Sequence, residues 1–134
     1  MNGAIYLATP YIHDDKKICA KRCLEVTKAA AYFMDQGKVI YSPITHGDAI
    51  NKFMKQQAGD HKFWLAQCLP HVVGASAIYV LGLDGWVDSK GVRWEVETGW
   101  AFNIPVFYVD SDTYELTEMT KVKWWFQQGE CDLK

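Results

Sequence analysis

Four short β-prone runs, Ala4–Ala8, Lys38–Tyr41, Ala77–Leu81 and Pro105–Val109, alternate with stretches of helical periodicity, and this alternation constrains the fold most. Each run is continuous rather than alternating in polarity, as expected for strands covered on both faces. The intervening patterns predict helices over about Asp14–Gln36, stopped at Gly37, and over His61–His71, where Phe63, Trp64, Leu65 and Leu69 supply the apolar side. A third helix is expected from Ser89 and a fourth over Leu116–Phe126. Strands alternating with helices imply a parallel sheet with helices on both faces, joined by right-handed crossovers. The expectation is one small doubly wound α/β domain over residues 1–134, flavodoxin- or Rossmann-like, with strand one central. No repeat, low-complexity tract or linker interrupts it.

Composition removes several classes of function. A net charge of −2 lacks the basic face that a nucleic-acid polymer requires. No stretch approaches the roughly 20 apolar residues of a membrane span, and no basic region precedes an apolar run at MNGAIYLATPY, so a cytoplasmic protein is expected. The four cysteines, Cys19, Cys23, Cys68 and Cys131, then read as reduced thiols. Cys19 and Cys23 share one helical face; a metal there would also want His13 or Asp14, and small apolar helix contacts are the plainer reading. No motif calls for a resident cofactor or metal. The aromatic share, 14% with six Trp, is high enough that some of it is expected to cover a ligand or a partner subunit. KVKWWFQQ, residues 121–128, is the candidate interface, with core packing the alternative for its aromatic residues.

Doubly wound folds bind ligands outside the carboxyl ends of their strands. Three loops should converge there: Ala8–His13 after strand one, Ser42–His46 after strand two and Gly82–Ser89 after strand three. Ser89 is a good N-cap for the helix that follows, whose N-terminus is a natural seat for an anion, and Gly91 lets a ligand approach the backbone. At about 100° per residue, Val92, Val96 and Gly99 face the sheet and Glu95 falls at the edge of that stripe. Glu97 falls on the solvent side with Arg93 and Lys90. A carboxylate beside apolar groups is costly to keep charged. Either Glu95 reaches for solvent or a neighbouring side chain, or it is a positioned carboxylate behind an anion seat, placed to attack an electrophilic carbon such as the anomeric carbon of a nucleotide sugar.

The stretch SKGVRWE resembles the Ser-x-Gly-Val-x-x-Glu signature of the nucleoside 2-deoxyribosyltransferase superfamily, and IYLATPY is similar to that superfamily's first strand and loop. VIYSPITH, FWLAQCL and AIYVL resemble a short phage and bacterial branch, so the likeness covers most of residues 4 to 109. The resemblance implies an N-glycosidase or deoxyribosyltransferase with Glu95 as nucleophile, Tyr6 orienting it and Ser89 anchoring a phosphate. It further implies that Thr9, Pro10 and Tyr11 line the crevice against sugar or base, and that His46 faces the same crevice. A solvated loop position is the alternative for His46. Trp86 and Trp94 either stack a base or pack the loop. Relatives often carry Asp where this chain has Cys68 and Ser76, which removes the usual acid–base partner; Asp84, Asp88 or a residue of a neighbouring subunit would take that place. The implied partners are a nucleoside or nucleotide and further copies of the chain, as a homodimer or larger assembly. The same crevice could instead hold a nucleotide without cleaving it, or serve NAD-type glycohydrolase chemistry.

Overall fold

A computed structural model describes residues 3–55, 61–121 and Trp124. Strand β1 (Ile5–Ala8) leads into helix α1 (Lys16–Asp35), followed by β2 (Ile40–Tyr41), α2 (Pro43–Asn51) and α3 (His61–Val73). Then come β3 (Ala77–Leu81), a 3₁₀ turn at Trp86–Asp88, α4 (Lys90–Ala101), β4 (Val106–Val109) and β5 (Leu116–Glu118). One sheet runs in the order β2-β1-β3-β4-β5, the flavodoxin-like arrangement. The first four of these strands are parallel, and β5 is antiparallel to β4. β1 lies inside the sheet, as expected, although the added fifth strand gives the middle place to β3.

The period-2 alternation of strand side chains separates two cores. Tyr6, Ala8, Ile78, Val80 and Val106 pack with Val72 of α3 and Val92 and Val96 of α4. Leu7, Tyr79, Leu81 and Val109 pack with Val26, Ala29, Ala30 and Phe33 of α1. Helices therefore cover both faces. α4 comes close because Gly99 has no side chain: a Cβ there would lie 2.2 Å from Ile78 Cδ1. That approach fixes which face of α4 is buried.

Two elements differ from expectation. Ser42–His46 is not a loop but the start of α2, where Ser42 Oγ accepts from the Thr45 N–H at 3.2 Å and Pro43 takes the first helical position. Ser-Pro reads as a turn locally, yet the same pair is a helix start once the chain continues. Gly47 in mid-helix masked the pattern; its bare backbone admits the Trp64 ring, which a Cβ would meet at 3.3 Å. The expected helix over Leu116–Phe126 fails in its first part, where Leu116–Glu118 forms β5, whereas Lys121 and Trp124 are helical, the Trp124 N–H donating to the Thr120 carbonyl at 2.9 Å. Asp110 accepts from the N–H groups of Asp112 (2.8 Å) and Thr113 (3.0 Å), closing a tight turn that returns the chain as β5. Pairing with β4 overrides the helical pattern there. Among the described residues no helix is long and apolar enough to cross a membrane.

Candidate active-site crevice

The loops after β1 and β3 and the crevice-facing side of α2 enclose a cavity of about 790 Å³ at the carboxyl ends of the strands, within the range of small-molecule sites. Thr9, Pro10, Tyr11, Asp88, Ser89, Gly91 and Glu95 all line it, so most of the residues singled out in the sequence meet in one place. Arg22 of α1 ties the two loops together: its guanidinium donates to the Ile12 carbonyl at 3.1 Å and to the Asp84 carbonyl at 3.0 Å.

Glu95 lies on the buried face of α4 with Val92, Val96 and Gly99, and only 8% of it is exposed. It does not snorkel. The Tyr6 hydroxyl, itself fully buried on β1, donates to Glu95 Oε2. Burial pushes the Glu95 carboxyl up to about 8, and the Tyr6 hydrogen bond opposes that rise by favouring the carboxylate. Burial, followed by the adjacent Glu95 charge, holds the Tyr6 phenol well above its usual range, so it stays a proton donor. The Cys68 thiol of α3 lies against the Tyr6 hydroxyl, and burial raises it as well. It is thus a neutral neighbour at the place where a second carboxylate would have been expected. Ser76, by contrast, is exposed before β3, with its N–H on the Ala4 carbonyl at 3.0 Å, and takes no part in the crevice lining.

Ser89 caps α4, its Oγ accepting from the Val92 N–H at 3.2 Å. The hydroxyl hydrogen remains to be donated, beside first-turn N–H groups that a helix leaves without acceptors of its own. Gly91 serves by lacking a side chain: a Cβ there would meet nothing nearer than Ser89 Oγ at 3.9 Å, so it would project into open crevice. Gly91→Val is therefore expected to leave the unfolding midpoint within about 0.5 kcal/mol of wild type. If the α4 N-terminus seats a phosphate, the same substitution should sharply weaken binding of a 5′-phosphorylated nucleotide, which titration calorimetry would read.

Other expectations are corrected. His46 is exposed on α2 and faces a neighbouring cavity of about 300 Å³, shared with Tyr41, Trp64, Cys68 and His71, rather than the main crevice. Its ring centroid is 5.7 Å from that of Tyr41. The α2 helix turned it away. Asp84 is exposed and contributes a backbone carbonyl to Arg22 instead of a carboxylate to the crevice lining. Trp94 lines the crevice, whereas Trp86 packs on Tyr108 and Trp124. Trp124 is fully buried and donates to Glu97 at 3.3 Å, so it is core rather than interface; Lys123, Trp125 and Phe126 of the tail, and Cys131, lie outside the described residues. Cys19 Sγ donates to the His13 carbonyl at 3.3 Å.

Sequence reasoning missed Arg22, Asp48, Asn51 and Trp64, all on the crevice wall. For three of these the missing signal was α2: Asp48 and Asn51 belong to it, and Gly47 seats Trp64 against it.

Residues 3–111, the part of the chain that builds this crevice, match the family described as a domain of unknown function, DUF1937. The chain belongs to that family. The match spans β1 through β4 and so includes Tyr6, Cys68, Ser89 and Glu95 of this DUF1937 domain, together with all of α2. No curated protein matches the chain.

Proposed function

We propose that the crevice cleaves the N-glycosidic bond of a nucleoside or nucleoside 5′-monophosphate, by hydrolysis or by transfer to a second base. The observation that carries this reading is the buried Tyr6–Glu95 pair opening on the cavity beside the α4 N-terminus. A carboxyl group seldom stays buried without a use, and a functional site is where such a perturbed group belongs. With the phosphate on Ser89 and the first turn of α4, the anomeric carbon comes to Glu95. The carboxylate attacks that carbon as the bond to the base nitrogen breaks; the base departs with the electron pair and takes a proton from solvent or from Asp88. Water, or another base, then displaces the glycosyl ester from Glu95. Tyr6 holds the carboxylate in one orientation, and the unpartnered Thr9 hydroxyl supports a contact with a sugar hydroxyl. The expected assembly is a homodimer or larger.

One observation favours a second reading, a nucleotide-binding module on the same crevice. The thiol of Cys68 beside Tyr6 is no acid–base partner, and such partners are typically worth ~10²–10⁴-fold in rate. Incubating the protein with nucleosides, nucleoside 5′-monophosphates and NAD, and assaying free base by chromatography, separates the readings. Base release from a nucleoside or monophosphate is the expected result. Binding without release from any of them sinks the enzymatic reading and leaves the binding module; release from NAD alone replaces the substrate class.

A further inference from the structure

Helix α2 presents Ile44, Gly47, Asp48 and Asn51 to the main crevice. Their spacing of i, i+3, i+4 and i+7 is one continuous helical stripe, so the crevice wall is a complete face of the helix. Its polar members, Asp48 and Asn51, both offer acceptor oxygens. Asp48 Oδ1 takes the Tyr11 hydroxyl at 2.8 Å, and its Oδ2 lies 3.7 Å from Lys52 Nζ. Asn51 Oδ1 is shut off from solvent and has no hydrogen-bond partner, and it sits one turn beyond Asp48. A buried carbonyl oxygen without a donor is costly and uncommon. The N-terminus of α4 brings donors to the same crevice through Ser89, Lys90 and Gly91, with Asp88 and Glu95 beside them. The cavity therefore combines the N-terminal donors of α4 with an α2 acceptor that lacks a donor.

We propose that the α2 stripe is the base-reading wall, and that Asn51 selects bases carrying an exocyclic amine over those carrying a carbonyl at the same ring position. The inference rests on the nucleotide reading of the crevice. With the phosphate at the α4 N-terminus, the base points across the cavity toward α2. The amide of Asn51 turns to it about χ2, a broad torsion, and its oxygen accepts the amine N–H. A carbonyl-edged base cannot give Asn51 Oδ1 a donor: it meets the amide only through Nδ2 and leaves the buried oxygen unpaired, so the amine-edged base alone supplies the missing hydrogen bond. Trp64 and Trp94, both on the crevice wall, supply aromatic surface for the ring.

The test is equilibrium binding to Glu95→Gln protein, which keeps the crevice and blocks cleavage. The probes are deoxyadenosine monophosphate against deoxyinosine monophosphate, and deoxycytidine monophosphate against deoxyuridine monophosphate. The amine member of each pair should bind roughly tenfold or more tightly. Adding Asn51→Leu should bring the two members to equal affinity, while Asn51→Asp, which keeps an acceptor, should retain the preference. If Asn51→Leu does not fold by thermal melting, Asn51→Ser, too short to reach the base, should give the same equal affinities. Equal binding of amine and carbonyl nucleotides before Asn51 is changed, or a preference that survives its removal, overturns the base-reading role and leaves the nucleotide crevice standing. No binding of any of the four by the folded protein overturns both.

Discussion

Glu95→Gln should lower base release by on the order of 10³-fold or more while nucleotide affinity stays close to that of wild type, because the amide preserves the side chain's shape and removes the nucleophile. Tyr6 can still donate to the amide oxygen, so the floor of the crevice should keep its form. Glu97→Gln is the matched control, two positions away on the same helix. Glu97 accepts from Arg93 at 3.2 Å and from Trp124 at 3.3 Å, and its side chain is 46% exposed. A glutamine oxygen accepts those same donors, so stability should change by no more than about 0.5 kcal/mol and base release hardly at all. Stopped reactions followed by intact-mass spectrometry should show a glycosyl adduct on wild type that maps to the Glu95 peptide. Equal turnover by wild type and Glu95→Gln would falsify covalent catalysis by this residue.

The second large effect is on pH. The carboxyl of Glu95 rises from 4.5 to about 8 on folding, through burial. A native state that binds this proton more tightly than the unfolded chain is favoured at low pH, and the advantage disappears as pH rises through the native value. The unfolded chain releases the proton above about pH 4.5 while the folded protein retains it until about pH 8, so stability should fall across that window and level off beyond it. The slope approaches about 1.4 kcal/mol per pH unit for one group. Urea midpoints measured from pH 5 to pH 9 should show this decline in wild type, and Glu95→Gln should lack it. Parallel curves for the two proteins would mean that Glu95 is not held neutral. On the proposed mechanism the reaction should have the opposite pH dependence, since only the carboxylate form of Glu95 would attack. Base release should climb about tenfold per unit below pH 8 and then reach a plateau. On the proposed mechanism, the ionisation needed for turnover is the one that destabilises the fold, in accord with the common opposition of stability and activity at functional sites.

The four parallel strands were legible in the sequence because each is a short continuous run covered on both faces, a pattern that needs no partner to be recognised. Ser89 as a cap, and the opposite placement of Glu95 and Glu97 on α4, followed from helical geometry alone. Periodicity placed Glu95 at the edge of the stripe, whereas the folded chain buries it. Gly99 decides that by letting α4 settle onto Ile78, which carries Glu95 under cover to Tyr6 on a strand 89 positions away in sequence. The α2 wall was illegible for a related reason. Ser42-Pro43 and Gly47 look like loop residues singly, yet in the fold Ser42 caps α2, Pro43 takes its first position and Gly47 admits the Trp64 ring. His46 was consequently turned from the crevice, and Asp48 and Asn51 were turned into it. Of the Leu116–Phe126 pattern, Leu116–Glu118 yielded to the free edge of β4, whose unpaired backbone groups take up a strand, while Lys121 and Trp124 are helical. Local pattern thus set the four parallel strands, the helices α1 and α3, and where α4 begins. Which carboxyl is buried, which face of α2 lines the crevice and which residues meet across it depended on contacts between segments distant in sequence, and those exist only in the folded chain.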